Sequence, residues 1–245
     1  MKNKRIIIMV LGSLMALSLA GTAGATTYNL KNDWNVTNNP NGQWSFWQGA
    51  QLLPHVNNWG NLTGQDAFAF ATTGQGHVPV WLQAEATNFP LFTTGDILFH
   101  PTSVDLLGSS YPYGESFVKW TSPGNGMITI SGNVFTPAYN WGTDTRGVDW
   151  TLSLGASQLD QGTVDYTSKF LNTINVASSY AVSTGDVVIF QGVRESGMNN
   201  AWFVGVNLNI EFNAATTSAV PEPCTLWLLG GGLLGLAGFS IKKKA

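Results

Sequence analysis

The chain has 245 residues, of which 44% are hydrophobic, 12% aromatic and 10% charged, with a formal net charge of -3. Ordinary globular chains carry about 25% charged residues, so this chain is charge-poor, and its hydrophobicity argues against disorder throughout. A single Cys excludes an internal disulfide, and the lack of a basic patch argues against nucleic acid as the main partner. Apolar runs long enough for a membrane occur only at the two ends, which excludes a polytopic membrane protein.

The first 25 residues divide into three parts. Basic residues lie within positions 2–5, an apolar stretch follows over residues 6–20, and the small residues Ala23 and Ala25 end the segment. This is the layout of a secretory signal peptide, which signal peptidase removes during export. We therefore predict a signal peptide over residues 1–25, with cleavage after Ala25. An uncleaved anchor helix is the alternative, and the short apolar stretch with its cleavage site disfavours it.

The body, residues 26–218, has the length of a single all-β domain. Six of the 11 basic residues lie in the two end segments, whereas 13 of the 14 acidic residues lie between them, so the body carries a net charge of -8. An acidic body is expected to stay soluble outside the cell. It also disfavours anionic polysaccharide as a direct partner, unless a cation bridges the two.

Five short segments show the alternation of apolar and polar residues that is typical of half-buried strands. They cover residues 116–120, 127–135, 148–154, 187–190 and 202–212. Turn-forming residues lie between them, and no window shows a sustained helical period. The pattern predicts an all-β fold, a single antiparallel β-sandwich, between the two end segments.

Four tryptophans fall in a polar, Asn-rich stretch over residues 31–61, and they are Trp34, Trp44, Trp47 and Trp59. Flat aromatic faces stack on the C–H faces of sugars, and amide side chains bond sugar hydroxyls. One interpretation is therefore a sugar platform that includes Trp47 or Trp59. The alternative, which we favour for most of the set, is that these rings fill the core.

The three histidines, His55, His77 and His100, lie far apart and have no partner at the spacing of a metal site. His100 precedes a proline at a predicted strand end, where a packing role is expected. The nucleophile motif G-x-S-x-G does not occur, and no glycine cluster has the strand-to-helix context of a phosphate-binding loop. The sequence therefore predicts no catalytic residue, and we expect the protein not to be an enzyme.

Carboxylates often occur in pairs, such as Asp144 with Asp149 and Asp160 with Asp165. A glycosidase needs two facing carboxylates in a cleft, but most of these acids lie beside Gly or Thr, as solvated turn residues do. The segment 144–147 with Asp149 has oxygen ligands for Ca²⁺, and a plain hairpin turn is the favoured alternative. We predict no cofactor.

The C-terminal segment, residues 219–245, also has three parts. A rigid tripeptide of Pro221, Glu222 and Pro223 is followed by the uncharged stretch 225–241, which has 17 residues and the minimum length for a transmembrane helix. Three lysines then hold that end on the cytoplasmic side, and they are Lys242, Lys243 and Lys244.

This order of tripeptide, apolar helix and basic cluster resembles the PEP-CTERM sorting signal of exopolysaccharide-producing Gram-negative bacteria. The resemblance implies that exosortase, a membrane-embedded cysteine protease, recognises Pro221, Glu222 and Pro223, while the three lysines fix the orientation of the helix. It also implies that Cys224 is not a catalytic residue, because the nucleophile belongs to exosortase. Two alternatives remain, a plain tail anchor with a chance tripeptide and lipidation of Cys224.

The body resembles, more weakly, a jelly-roll β-sandwich common in PEP-CTERM surface proteins and similar to carbohydrate-binding modules. The segments that carry this resemblance lie at residues 39–49, 118–135, 147–155 and 183–192, and they contain no ligand-site signature.

We therefore expect an exported protein whose precursor is tethered to the inner membrane and then passed to the cell surface or extracellular matrix. The expected partners are signal peptidase, exosortase and, for the body, exopolysaccharide. A self-associating structural component of a biofilm or matrix is the second hypothesis for the body. A secreted glycan hydrolase is the third and least favoured.

Overall fold

The structure is a computed structural model that describes residues 24–70, 78–101, 116–137, 146–166, 170–196 and 201–215. These ranges contain strands and one short 3₁₀ turn at Trp59–Asn61, so the predicted all-β class is confirmed. The strands are β1 (Ala25–Asn29), β2 (Trp44–Gln48), β3 (Gln51–Leu52), β4 (His55–Val56), β5 (Ala67–Ala69), β6 (Val80–Gln83), β7 (Ile97–His100), β8 (Ser116–Thr121), β9 (Gly126–Phe135), β10 (Gly147–Leu154), β11 (Ser157–Asp165), β12 (Leu171–Asn175), β13 (Tyr180–Val182), β14 (Val187–Arg194) and β15 (Val204–Ala214).

The strands form two antiparallel sheets. Within the described ranges, the first sheet has the order β12-β9-β15-β7-β6-β5-β4, with β1 beside β15 and β13 beside β9. The second sheet has the order β11-β10-β14-β8-β2-β3. Residues 122–125 connect β8 to β9, which lie in different sheets, so this turn carries the chain from one layer to the other.

All five strands predicted from alternation are confirmed, as β8, β9, β10, β14 and β15. In β15 the residues at every second position from Val204 to Phe212 are buried, because one face of the strand packs on the core. A tight turn precedes β14. Gly185 has a φ of 88°, and Asp186 N donates to Ser183 O at 3.0 Å. A glycine is favoured there because left-handed backbone clashes with a Cβ atom.

The main core lies between the two sheets and is rich in aromatic rings. Phe46 of β2 stacks on Phe68 of β5 at 4.9 Å between ring centroids, and Phe99 of β7 meets Phe190 of β14 edge-on at 5.6 Å. Each of these pairs joins one sheet to the other, so the sheets pack face to face as a β-sandwich. The tryptophans are mostly core residues, since Trp44, Trp81, Trp120 and Trp150 are each at most 2% exposed.

A second apolar cluster, the outer cluster, covers the other side of β5 and β6. Val80 and Leu82 of β6 belong to it, whereas Trp81 between them faces the main core. Trp59 and Phe203 close the outer cluster, with ring centroids 5.6 Å apart. Strands β5, β6 and β7 are therefore buried on both sides.

Strand β1 places the start of the body beside its end. Ala25 lies opposite Asn213 of β15, and Asn29 lies opposite Asn209. Residues 25–214 form one compact unit. The predicted cleavage after Ala25 stays a prediction. Ala23, the predicted transmembrane helix 225–241 and the other calls on the two ends lie outside the described residues.

Candidate functional site

One row of side chains crosses the outward surface of the second sheet. The pairing register places one residue of each of the six strands in this row. Its members, here called the outward row, are Leu52, Trp47, Phe117, Gln191, Thr151 and Gln161. Neighbouring strands are about 4.8 Å apart, so the row is about 24 Å long.

The outward row faces away from the core, because the residues that alternate with it are buried. Phe46, Val118, Phe190 and Leu152 are each at most 1% exposed and belong to the main core. Successive side chains of a strand point to opposite faces, so Trp47 and its row neighbours point outward. The row is apolar at one end and carries amide and hydroxyl groups at the other.

Trp47 is held by its neighbours on that surface. Its indole Nε1 donates to Ser45 Oγ at 2.7 Å, and Lys119 Nζ lies 4.2 Å from the ring centroid. Partial burial lowers the pKa of the Lys119 ammonium below its ordinary value. Phe117 lies directly opposite Trp47 and is 5.5 Å from the same ammonium. These contacts fix the Trp47 ring in a half-buried position that leaves part of it open to solvent.

The structure places Trp47 and Trp59, the two tryptophans considered for a sugar platform, in different environments. Trp59 is 8% exposed and packs against Phe203 in the outer cluster. Its environment is that of a core residue, which is the interpretation that we favour for most of the tryptophans. Trp47 is half-buried, and part of it remains open to solvent.

A cleft that sequence reasoning did not find lies beside Trp34. Its volume is about 320 Å³, and its lining combines one aromatic ring, amides and two carboxylates. The lining residues are Trp34, Asn35, Val36, Gly64, Gln65, Asp66, Gln83 and Glu85. They come from three separated parts of the chain, so no local motif marks the cleft. The only signal in the sequence was the aromatic and polar character of residues 31–61.

The described histidines occupy different environments. His100 is 5% exposed, its Nδ1 donates to Pro101 O at 2.6 Å, and its ring lies 5.1 Å from that of Phe203. Burial lowers its pKa from 6.5 to about 4, which the bond to Pro101 opposes and the nearby Arg146 reinforces. His55 lies 3.5 Å from Asp66 through Nε2 and Oδ2. His77 lies outside the described residues.

The predicted carboxylate pairs do not come together where the structure describes them. Asp160 and Asp165 lie five positions apart on β11, so they point to opposite faces. Asp149 accepts from Thr163 Oγ1 at 2.6 Å, and its expected partner Asp144 lies outside the described residues. Among the described residues, no three His, Cys, Asp or Glu side chains are grouped closely enough to hold a metal ion. The segment 144–147, which we considered for Ca²⁺ against the favoured hairpin turn, is described only from residue 146 onward.

The sorting residues fall beyond the last described range. Pro221, Glu222, Pro223, Cys224 and the lysines at 242–244 all follow residue 215, where the described chain stops. Within the described ranges, no helix has both the length and the apolar character that crossing a membrane requires.

Comparison with known proteins identifies the C-terminal segment. The family model of the PEP-CTERM protein-sorting motif matches residues 219–244, and the chain therefore carries this motif. This confirms the resemblance of the tail and implies processing by exosortase. No curated protein matches the chain.

Solved structures with a similar arrangement include carbohydrate-binding modules. One is the structure of CBM51-2 in complex with GlcNAc and INT domains from Clostridium perfringens ZmpB. Its sequence is 10% identical and its TM-score is 0.35, and the match covers 77% of this chain and 32% of that chain. Another is the C-terminal CBM6 of LamC from Zobellia galactanivorans, with 15% identity and a TM-score of 0.23 over 39% of this chain and 72% of that chain. The chain thus spans about a third of the length of the first structure. Likenesses at these TM-scores carry no argument about what this chain binds.

Proposed function

We propose that this protein is an exported, non-enzymatic component of the cell surface or extracellular matrix that associates with exopolysaccharide. The observation that carries the proposal is the PEP-CTERM motif at residues 219–244. In this account a signal peptide over residues 1–25 starts export, and the helix 225–241 holds the precursor in the inner membrane of a Gram-negative bacterium. Exosortase then acts near Pro221–Pro223, and the jelly-roll-like body is released to the surface.

The outward row supports the association with polysaccharide. Trp47 and Phe117 offer aromatic surface, and Gln191, Thr151 and Gln161 add amide and hydroxyl groups along the same line. A sugar chain has apolar C–H faces and many hydroxyls, so it complements both parts of the row. A length of about 24 Å suits an extended chain rather than a single small molecule.

The charge of the body disfavours an acidic chain. A body with a net charge of -8 repels carboxylated or sulfated polysaccharide, and Lys119 is the lysine that lies over Trp47. We therefore propose that the row binds an exopolysaccharide without acidic groups.

Retention on polysaccharide tests this function. The full-length chain, purified in a detergent without a sugar headgroup, is passed over immobilised neutral exopolysaccharide from a PEP-CTERM-producing bacterium. Trp47→Ala should weaken retention by up to about tenfold, because a stacked aromatic ring contributes about 0.5–1.5 kcal/mol. Leu171→Ala is the control, since Leu171 is 60% exposed on β12 of the other sheet. Equal retention of the wild type and Trp47→Ala would contradict the role of the row.

A second candidate function, self-association in a matrix, is favoured by strand β11. Within the described residues, β11 has nine residues and pairs with β10 alone, so its outer edge presents backbone donors and acceptors. Such an edge is able to pair with a second copy. Sedimentation velocity over a range of protein concentrations tests this candidate, and a concentration-independent monomer would exclude it.

A further inference from the structure

The cleft beside Trp34 has the features of a built binding site. Its volume of about 320 Å³ lies at the lower end of the range of about 300–1,000 Å³ that small-ligand sites occupy. Trp34 forms one wall, Gln65 and Asp66 form another, and Gln83 with Glu85 completes the lining. A site of this size fits one or two sugar residues better than a long chain.

The aromatic wall is held rigidly. The Trp34 ring meets Phe46 edge-on at 4.9 Å and Phe68 at 5.4 Å, and both phenylalanines are buried. The ring itself is only half-buried, so part of it remains available to a ligand. Its position is therefore set by the core before any ligand binds.

The charged groups of the cleft are both acidic. Asp66 is positioned by Asn58 N, which donates to its Oδ1 at 3.1 Å, and by His55 at 3.5 Å from its Oδ2. Glu85 is exposed, and among the described residues none bonds its carboxylate. The neighbouring lysine, Lys31, is paired with Asp96 at 3.0 Å and does not line the cleft.

Gln65 adds an acceptor that the protein leaves unused. Its side chain lines the cleft although the residue is only 1% exposed. The amide nitrogen Nε2 donates to Gln83 O at 2.9 Å, which fixes the orientation of the group. The oxygen Oε1 has no hydrogen-bond partner among the described residues. A buried acceptor without a partner is costly, so a ligand that brings a donor to this wall is favoured.

We propose that the cleft binds a sugar residue that carries a protonated amine, as a de-N-acetylated hexosamine does. The ammonium lies between Asp66 and Glu85, the C–H face of the sugar lies on Trp34, and a ligand N–H or O–H reaches Gln65. Opposite charge favours the ammonium, and the aromatic face attracts both the cation and the C–H groups. The proposal names the sugar class for a second site, and it rests on the proposed association with exopolysaccharide.

Calorimetric titration with two defined oligosaccharides tests the proposal. The probes are glucosamine tetramer, in which every amine is free, and its fully N-acetylated form. The full-length chain in a detergent without a sugar headgroup should bind the free-amine form at least tenfold more tightly. Glu85→Gln and Trp34→Ala should each weaken the binding of the free-amine tetramer at least tenfold. If Trp34→Ala disturbs folding, Glu85→Gln still tests the proposal, because Glu85 is exposed and its carboxylate bonds no described residue.

Glu211→Gln controls for general attraction between a cationic sugar and an acidic protein. Glu211 is exposed on β15, and its substitution changes the net charge by the same amount as Glu85→Gln. Unchanged affinity in Glu211→Gln supports a specific site, whereas equal weakening in both variants would overturn it. Equal affinity for the two tetramers would also overturn the proposal. Trp47→Ala should leave tetramer binding unchanged. The proposal for the cleft and the proposal for the outward row are therefore tested independently.

Discussion

Mild acid should destabilise the protein through His100, the last residue of β7. The ring is buried against Phe203, and its Nδ1 donates to the carbonyl oxygen of Pro101. Burial lowers the pKa of the ring from 6.5 to about 4. Between these two pH values the unfolded chain holds a proton that the folded protein does not. The free energy of unfolding therefore rises with pH in this window, and it falls when the pH drops from 6.5 to 4.

The magnitude follows from the two pKa values. They differ by about 2.5, and each pH unit corresponds to about 1.36 kcal/mol, so His100 accounts for on the order of 3 kcal/mol of stability lost at pH 4. Urea denaturation at pH 7 and at pH 4 measures the loss in the wild type and in His100→Phe, which keeps an aromatic ring beside Phe203. Other titrating groups contribute equally to both proteins, so they cancel in the difference.

The test compares the loss of stability between pH 7 and pH 4 in the wild type with the loss in His100→Phe. His100→Phe should lose less stability than the wild type between pH 7 and pH 4, by on the order of 3 kcal/mol. Val204→Ala, which removes non-titrating side-chain atoms from the main core, should lower stability equally at both pH values. An identical pH dependence in the wild type and His100→Phe would refute the assignment of His100 as a buried neutral side chain.

Three further predictions concern the packing of the sheets and the tail. Gly132→Ala should lower the free energy of unfolding, measured by urea denaturation, by about 1–3 kcal/mol, because the added Cβ would lie 2.0 Å from Asn207 O. Gly124→Ala is the control, because its Cβ would have its nearest neighbour at 3.7 Å, and it should change that free energy by less than about 0.5 kcal/mol. Replacing Pro221–Pro223 with alanines should leave the precursor in the inner membrane, as measured by fractionation and immunoblotting, and unchanged surface delivery would argue against exosortase recognition. Deleting residues 242–244 should impair orientation or processing, and a normal yield of processed protein would mean that the helix alone suffices.

The fold could be predicted where one face of a strand is buried and the other is not. Strands β8, β9, β10, β14 and β15 show this contrast as alternation in the sequence. Strands β6 and β7 were missed because the outer cluster buries their second face as well. A short strand that is buried on both sides has no period of two, and it resembles any other apolar run.

The candidate sites were partly predictable for a similar reason. Trp47 was singled out by composition, but Phe117 and Lys119 join it only through the register of β2 with β8. For Trp59 the sequence leaves both a sugar platform and the core open, because it does not show that Phe203 covers the ring. The cleft could not be predicted, since tertiary packing alone brings Trp34 beside residues 64–66 and 83–85.

The state of the two ends in the mature protein tests the central claim most directly. Intact mass spectrometry, on protein recovered from the surface of cells that possess exosortase, measures both ends at once. The account predicts a chain that begins at Thr26 and stops near Pro221–Pro223, without the apolar stretch 225–241. Recovery of surface protein that still carries residues 225–245 would contradict it.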